Sequence, residues 1–189
     1  MIITGMIVGI VVVVIVLIII IFLISTYNGL VKGRNQVEEA FSTMDVYLKK
    51  RYDLIPNLVE TVKGYAAHEK ATLEKVIQAR NTAARAKDAA DVIRSNEALV
   101  QSLRGIFAIA ENYPDLKANA NFMELQQQLQ QVEEDIANAR KYYNGCVKVY
   151  NDKTMMFPSN LVAGMFGFRK ASMYEVGDTA ERENVKVSF

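Results

Sequence analysis

The sequence predicts an all-α protein: an N-terminal transmembrane helix followed by a long antiparallel helical bundle whose first rod is kinked at Pro56. Three observations predict it. The chain opens on an uncharged, almost purely aliphatic segment, and apolar residues recur in three-four steps over most of the remainder. One of those stripes also holds its phase across a proline.

The anchor comes first. "MIVGIVVVVIVLIIIIFLI", from Met6 to Ile24, carries no charge, and the first charged side chain of the chain is Lys32. At 1.5 Å rise per residue, about 19 residues cover roughly 28 Å, close to the hydrocarbon thickness of a bilayer. A cleaved signal peptide needs a basic leading region, a shorter apolar core and a small-residue cleavage site. None of these accompanies the segment, so a permanent span is expected. Lys32, Arg34, Lys49, Lys50 and Arg51 follow the span, whereas "MIITG" before it is uncharged. The positive-inside rule then places the N-terminus outside and the soluble part in the cytoplasm. Gly5 and Gly9 form a GxxxG that would let two spans approach closely, although paired glycines at the edge of an aliphatic span commonly have no such role.

Beyond the anchor, roughly 160 residues remain, enough for one domain with a core of its own. The expected organisation is an anchor over 1–26, a helical bundle over 27–168 and a C-terminal tail over 169–189. Net charge is +1 with the signs interspersed, so no basic stripe points to nucleic acid. The single cysteine, Cys146, excludes an intramolecular disulfide and fits a reducing compartment.

The first rod carries apolar or small residues at Val37, Phe41, Met44, Leu48, Ile55, Val59, Val62, Ala66, Leu73, Val76 and Ala83, with Glu69 and Arg80 in two of the slots. A kinked helix must keep its phase through Pro56 and a hairpin need not, which favours a bend. The hairpin alternative rests on Asp53 as the cap of a new helix with proline in its first turn. A second helix is expected from about Ala90 to Glu111, with Ile93, Val100, Leu103, Phe107 and Ala110 on one face, ending at "NYPD". Asn121, with Glu124 three residues on, resembles a capping box. The helix it opens has a heptad seam of Phe122, Leu125, Leu129, Val132, Ile136, Ala139, Tyr143, Cys146 and Tyr150. After Pro158 a short apolar helix ends near Gly167, and Val185, Val187 and Phe189 alternate as a half-buried strand would.

Chemistry is sparse. His68 is the only histidine and is expected on a helix, which removes HExxH zinc sites; Tyr65 stands where a di-iron Glu-x-x-His motif needs glutamate. No glycine-rich loop follows a strand. The carboxylates that stand near one another, Asp53 with Glu60 and Glu133 with Glu134 and Asp135, are better explained by salt links and solvated faces than by acid-base work. Cys146 on the seam is expected as a small apolar filler. No catalytic, cofactor or metal site is expected.

Four blocks, "YNGLVKGRNQVEEAFSTMDVYLKKRYDLIPNLVETVKGYAAHE", "AENYPDLKANANFMELQQQL", "ARKYYNGCVKVYN" and "FPSNLVAGMFGF", resemble the signature segments of LemA proteins, from about Tyr27 to Phe168. The resemblance implies a bacterial single-pass inner-membrane protein with a long helical cytoplasmic domain. It implies no agreed biochemical activity and no catalytic residues to carry over. Genes of that family often neighbour those of membrane zinc proteases, so the resemblance implies such a protease as a partner.

The leading functional expectation is an anchored helical scaffold that self-associates and organises membrane lipids or envelope proteins. If the Pro56 rod runs unbroken over residues 30 to 87 it spans about 85 Å, against about 45 Å for the helix from Asn121 to Asn151. Part of its stripe would then lack a partner within the chain, and an exposed stripe of that size marks an interface. The alternative is an adaptor that presents clients to a membrane protease or signalling partner. Its candidate interface is "FPSNLVAGMFGFRK", with Phe157, Leu161, Met165, Phe166 and Phe168; docking of that segment against its own bundle is the plainer account.

Overall fold

The computed structural model describes residues 2–86 and 89–174; the strand expected near Val185 and Val187 and most of the expected tail lie outside them. The described residues form six helices: α1 (Ile2–Lys63), α2 (Lys70–Arg85), α3 (Ala89–Asn112), α4 (Pro114–Lys117), α5 (Ala120–Met155) and α6 (Ser159–Met165). No strand occurs among them. The first part of α1 is apolar and long enough to cross a membrane, and its side chains there are exposed within the chain.

α1 passes through Pro56 as one helix, so no hairpin forms there. The break comes instead at residues 64–69, where the amides of Tyr65 and Ala66 both bond the carbonyl of Val62 and the Glu69 amide bonds that of Ala66. Ala66 is buried inside this turn, which is why the apolar phase survives a real break. His68 consequently sits exposed on the turn rather than on a helix. The expected 30–87 rod is therefore two helices. Met44, Leu48, Ile55, Val62, Ala66, Leu73, Val76 and Ala83 are all buried within the chain. The surplus stripe expected from an unbroken rod is absent, and with it that argument for an interface.

α2 packs against α3. The buried face of α3 is Val92, Asn96, Leu99, Leu103, Ile106, Ile109 and Ala110, while Ile93, Val100 and Phe107 are half-buried at its margin. Pro114 opens α4 at its first position, where its missing N–H costs nothing. The cap of α5 is Asn119, not Asn121: its Oδ1 accepts the Phe122 amide at 3.0 Å. Along α5, Phe122, Leu129, Val132, Ile136, Ala139, Tyr143 and Tyr150 are buried, and the seam runs through Val147 with Cys146 half-buried beside it.

The chain divides into two units. One comprises the described residues of Met1–Ser42 and Lys141–Ala171; the other comprises those of Thr43–Arg140 and Ser172–Phe189. In the first, Gly33 admits Tyr150 so closely that a Cβ there would meet its ring at 3.2 Å. Phe41 meets Tyr143 edge-on at 5.8 Å. Residue numbers therefore run in opposite senses along the two paired helices. In the second, Phe107 and Phe122 stand edge-to-face at 6.5 Å.

Candidate functional site

The expected interface segment folds in the first unit. α6 ends in a Schellman closure: the Phe168 amide reaches the Ala163 carbonyl at 2.9 Å and the Gly167 amide reaches that of Gly164 at 3.4 Å. Gly167 supplies the left-handed backbone this closure requires, with φ 72°. The closure turns Phe168 back onto a small core of Leu30, Val162 and Ala163, against which Leu23 also packs. The Tyr27 ring meets Phe166 edge-on at 4.8 Å and Phe168 at 5.7 Å, and the Arg34 guanidinium lies 5.7 Å from the Phe168 centroid.

This arrangement divides the sequence-predicted residues. Phe168 is drawn into packing and half-buried. Leu161 and Met165, one turn apart, stay exposed on the outer side of α6, with Phe157 before the helix and Phe166 after it; Met165 is 71% and Phe157 79% exposed. Met156 is exposed beside them. The ends of the expected span, Met6 and Ile24, both project outward from α1. Just beyond α6, Asn151 grips the chain by a reciprocal pair: its Nδ2 donates to the Ala171 carbonyl and its Oδ1 accepts the Ala171 amide, both at 2.9 Å.

The second unit holds a polar cluster that the periodicity only hinted at. Arg51 is fully buried, donates to Glu133 Oε1 at 2.6 Å and also donates to Asn96 Oδ1. The same Asn96 oxygen accepts the Tyr52 hydroxyl at 2.9 Å. Burial raises the Tyr52 pKa above its ordinary value, and the Asn96 hydrogen bond and the Arg51 charge partly offset this. Arg51 is thus a structural charge, and Glu133 its partner rather than half of a carboxylate pair. The signal was a gap: the stripe of α1 jumps from Leu48 to Ile55, and Arg51 and Tyr52 fill the missing slot.

Arg80 has a comparable role. Its Nε donates to the Tyr52 carbonyl at 3.0 Å, and its guanidinium approaches Asp53 at 3.9 Å. Pro56 has no N–H to offer that carbonyl, so the arginine replaces the helical donor. Asp53 also binds Lys49 at 3.0 Å, and Glu60 pairs with Lys63 at 3.4 Å, which accounts for both carboxylates as salt links. Among the described residues no group of three or more His, Cys, Asp and Glu could hold a metal ion.

Also in this unit, α1, α2 and α3 border an open groove of about 1340 Å³. Val59, Leu73 and Ile77 are among its apolar lining residues, and Lys63, Lys70, Glu74, Asp91 and Arg94 among its charged ones.

A model of the LemA family matches residues 40–189. The chain is 25% identical over 166 residues to Protein LemA of Metamycoplasma hominis, covering 85% of this chain and 74% of that protein. It is 22% identical over 186 residues to Magnetosome protein MamQ 2 of Paramagnetospirillum magneticum, covering 83% of this chain and 68% of that one. A similar likeness, at 21% with the same coverage, holds for Magnetosome protein MamQ of Magnetospirillum gryphiswaldense.

Proposed function

The chain belongs to the LemA family, and on that premise we propose that it is a membrane-anchored helical scaffold, without catalysis of its own, that self-associates and organises other membrane or envelope proteins. The observation that carries the proposal is the lack of any joint between anchor and packed helices. α1 leaves the apolar span and is already locked into the first unit by Leu30, Gly33 and Phe41, with no break in the helix. A tether that only keeps a protein near a membrane does not need this; a platform that holds partners at a fixed height and orientation does. Likeness to proteins named for the magnetosome agrees with work at a membrane.

Self-association belongs to the span in this reading. Its side chains are exposed along α1, and the surface beside Gly5 and Gly9 is open. The mass of the detergent-solubilised full-length protein, compared with that of residues 27 to 189, tests it. A multimer that becomes a monomer on truncation is expected, and a monomeric full-length protein overturns it. Lys32 and Arg34 beside the span support an orientation with the packed helices on the cytoplasmic side of a bacterial inner membrane. A cysteine at Gln128 in a Cys146→Ser background should then resist membrane-impermeant thiol reagents in intact cells, and ready labelling refutes the assignment.

The groove bordered by α1, α2 and α3 favours a second reading, an adaptor that presents a client to a membrane protease or signalling partner. A groove lined by apolar residues together with charges of both signs suits an amphipathic peptide segment. Crosslinks from a photoreactive residue at Ile77 to another membrane protein would favour the adaptor; crosslinks to copies of this chain would favour the scaffold.

A further inference from the structure

We infer that α6 and its flanks form a second membrane contact: a foot that lies in the headgroup zone of the bilayer crossed by the first part of α1. Position is the first argument. Val162 and Ala163 fix α6 to Leu30, Leu23 packs on the same core, and the Phe166 ring leans on Tyr27. Leu23 belongs to the apolar span, and Leu30 follows it by two helical turns, about 10 Å along the axis. The polar zone of a bilayer, headgroups included, adds some 5 to 8 Å on each side of the hydrocarbon. An element held between Leu23 and Leu30 is therefore at headgroup depth, wherever the rest of the chain points.

Chemistry is the second argument. With Val162 and Ala163 turned inward, the outward residues Met156, Phe157, Leu161, Met165 and Phe166 are all large, apolar and exposed. In water at this density they would form a costly patch. At the boundary between headgroups and acyl chains they are suited to their surroundings, as the apolar face of an interfacial helix is. The charged residues within 25–37 and 153–170 are Lys32, Arg34, Lys153, Arg169 and Lys170, all cations, while Asp152 and Glu38, which pairs with Arg34 at 3.8 Å, stand just outside these segments. That arrangement of apolar residues with five cations and the adjoining acids Asp152 and Glu38 on their own and the facing segment complements an anionic lipid surface. A docking groove on another protein would fit the apolar residues, but it does not explain why they sit against the end of the span.

The contact is independent of self-association, and the experiment keeps the two apart. Full-length protein carrying Cys146→Ser and a single environment-sensitive fluorophore at Leu161→Cys, Met165→Cys or Gln128→Cys is placed one copy per nanodisc of phosphatidylethanolamine and phosphatidylglycerol. Lipids brominated near the top of the acyl chain should quench most of the emission at positions 161 and 165 and leave position 128 unchanged, while aqueous iodide should do the reverse. Iodide quenching at 161 and 165 as strong as at 128 would overturn the foot. So would shielding from both quenchers, since that would show a covering protein segment. Unchanged helicity of each labelled variant excludes unfolding as the cause.

Discussion

Arg80 donates through Nε to the carbonyl oxygen of Tyr52 at 3.0 Å, the one oxygen in α1 that Pro56 deprives of its helical donor. A proline inside a helix ordinarily costs about 3 kcal/mol, part of it the lost hydrogen bond. Here an arginine from α2 satisfies the orphaned acceptor, and it also holds α2 against α1. Removing the guanidinium by Arg80→Met should cost about 1 to 3 kcal/mol, because a part-buried carbonyl is left unsatisfied. In a Pro56→Ala background the restored amide serves that carbonyl, and the same change should cost clearly less. Chemical denaturation of the four proteins of this cycle measures the coupling; additive effects would show that the two residues do not share the oxygen.

Arg51 and Glu133 should respond unequally to loss of their partner. Glu133 is 43% exposed at its side chain whereas Arg51 is fully buried. Arg51→Met leaves a carboxylate that can turn to water, but Glu133→Ala leaves a buried cation supported by Asn96 alone. The second should therefore cost about 2 kcal/mol or more and exceed the first. Equal losses would mean that the ion pair is screened as a surface pair would be.

Tyr52 predicts an alkaline weakness. Burial holds its proton beyond the ordinary 10.0, so above that pH the unfolded chain ionises first and the folded chain lags. Its contribution is complete below pH 10.0 and is lost as pH rises through the higher folded value. Tyr143, Tyr150 and Tyr174 are raised by burial as well and add to the loss. Tyr52→Phe should give up about 1 kcal/mol at neutral pH, from the bond to Asn96. Its stability should then fall less steeply than that of the parent between about pH 9 and 11. Parallel slopes in a pH series of unfolding curves would count against the tyrosine.

Gly167 is the pivot of the foot. Nothing within 4 Å would obstruct a Cβ, so the cost of Gly167→Ala is purely the left-handed backbone at φ 72°, roughly 1 to 2 kcal/mol. That cost should fall locally: exchange of the Phe168 amide, bonded to Ala163, should accelerate while amides of α3 keep their protection. Unchanged exchange at Phe168 would show that the closure does not hold the segment.

The helical stripes were legible because three-four spacing is a direct image of burial, and Met44, Leu48, Ile55, Val62, Leu129, Val132 and Ile136 are all in the core. The turn after Lys63 was hidden by Ala66, a small residue buried in the turn at the slot a continuous helix would have used. On α3, large apolar residues occur in adjacent pairs, Val92 with Ile93, Leu99 with Val100 and Ile106 with Phe107, so periodicity alone could not decide which member faced inward. Asn96, polar and fully buried, obscured that face further. Arg51 and Arg80 were missed as core partners for a related reason: a charge in an apolar slot resembles an interruption until its acceptor, which is remote in sequence, is known. At the foot, the sequence supplied the apolar residues but not their division; only the closure at Gly167 shows that Phe168 turns inward while Phe157, Leu161 and Met165 do not.

The unbroken passage of α1 from the span to Leu30, Gly33 and Phe41 also gives the protein a mechanical property. A span longer or shorter than the local hydrocarbon thickness relieves the mismatch largely by tilting. Where a hinge follows the span, that tilt is absorbed and goes no further. Here the same helix continues into packed contacts, so inclination of the span becomes inclination of everything clamped to those residues. A change in bilayer thickness that tilts the span would therefore tilt those packed contacts with it.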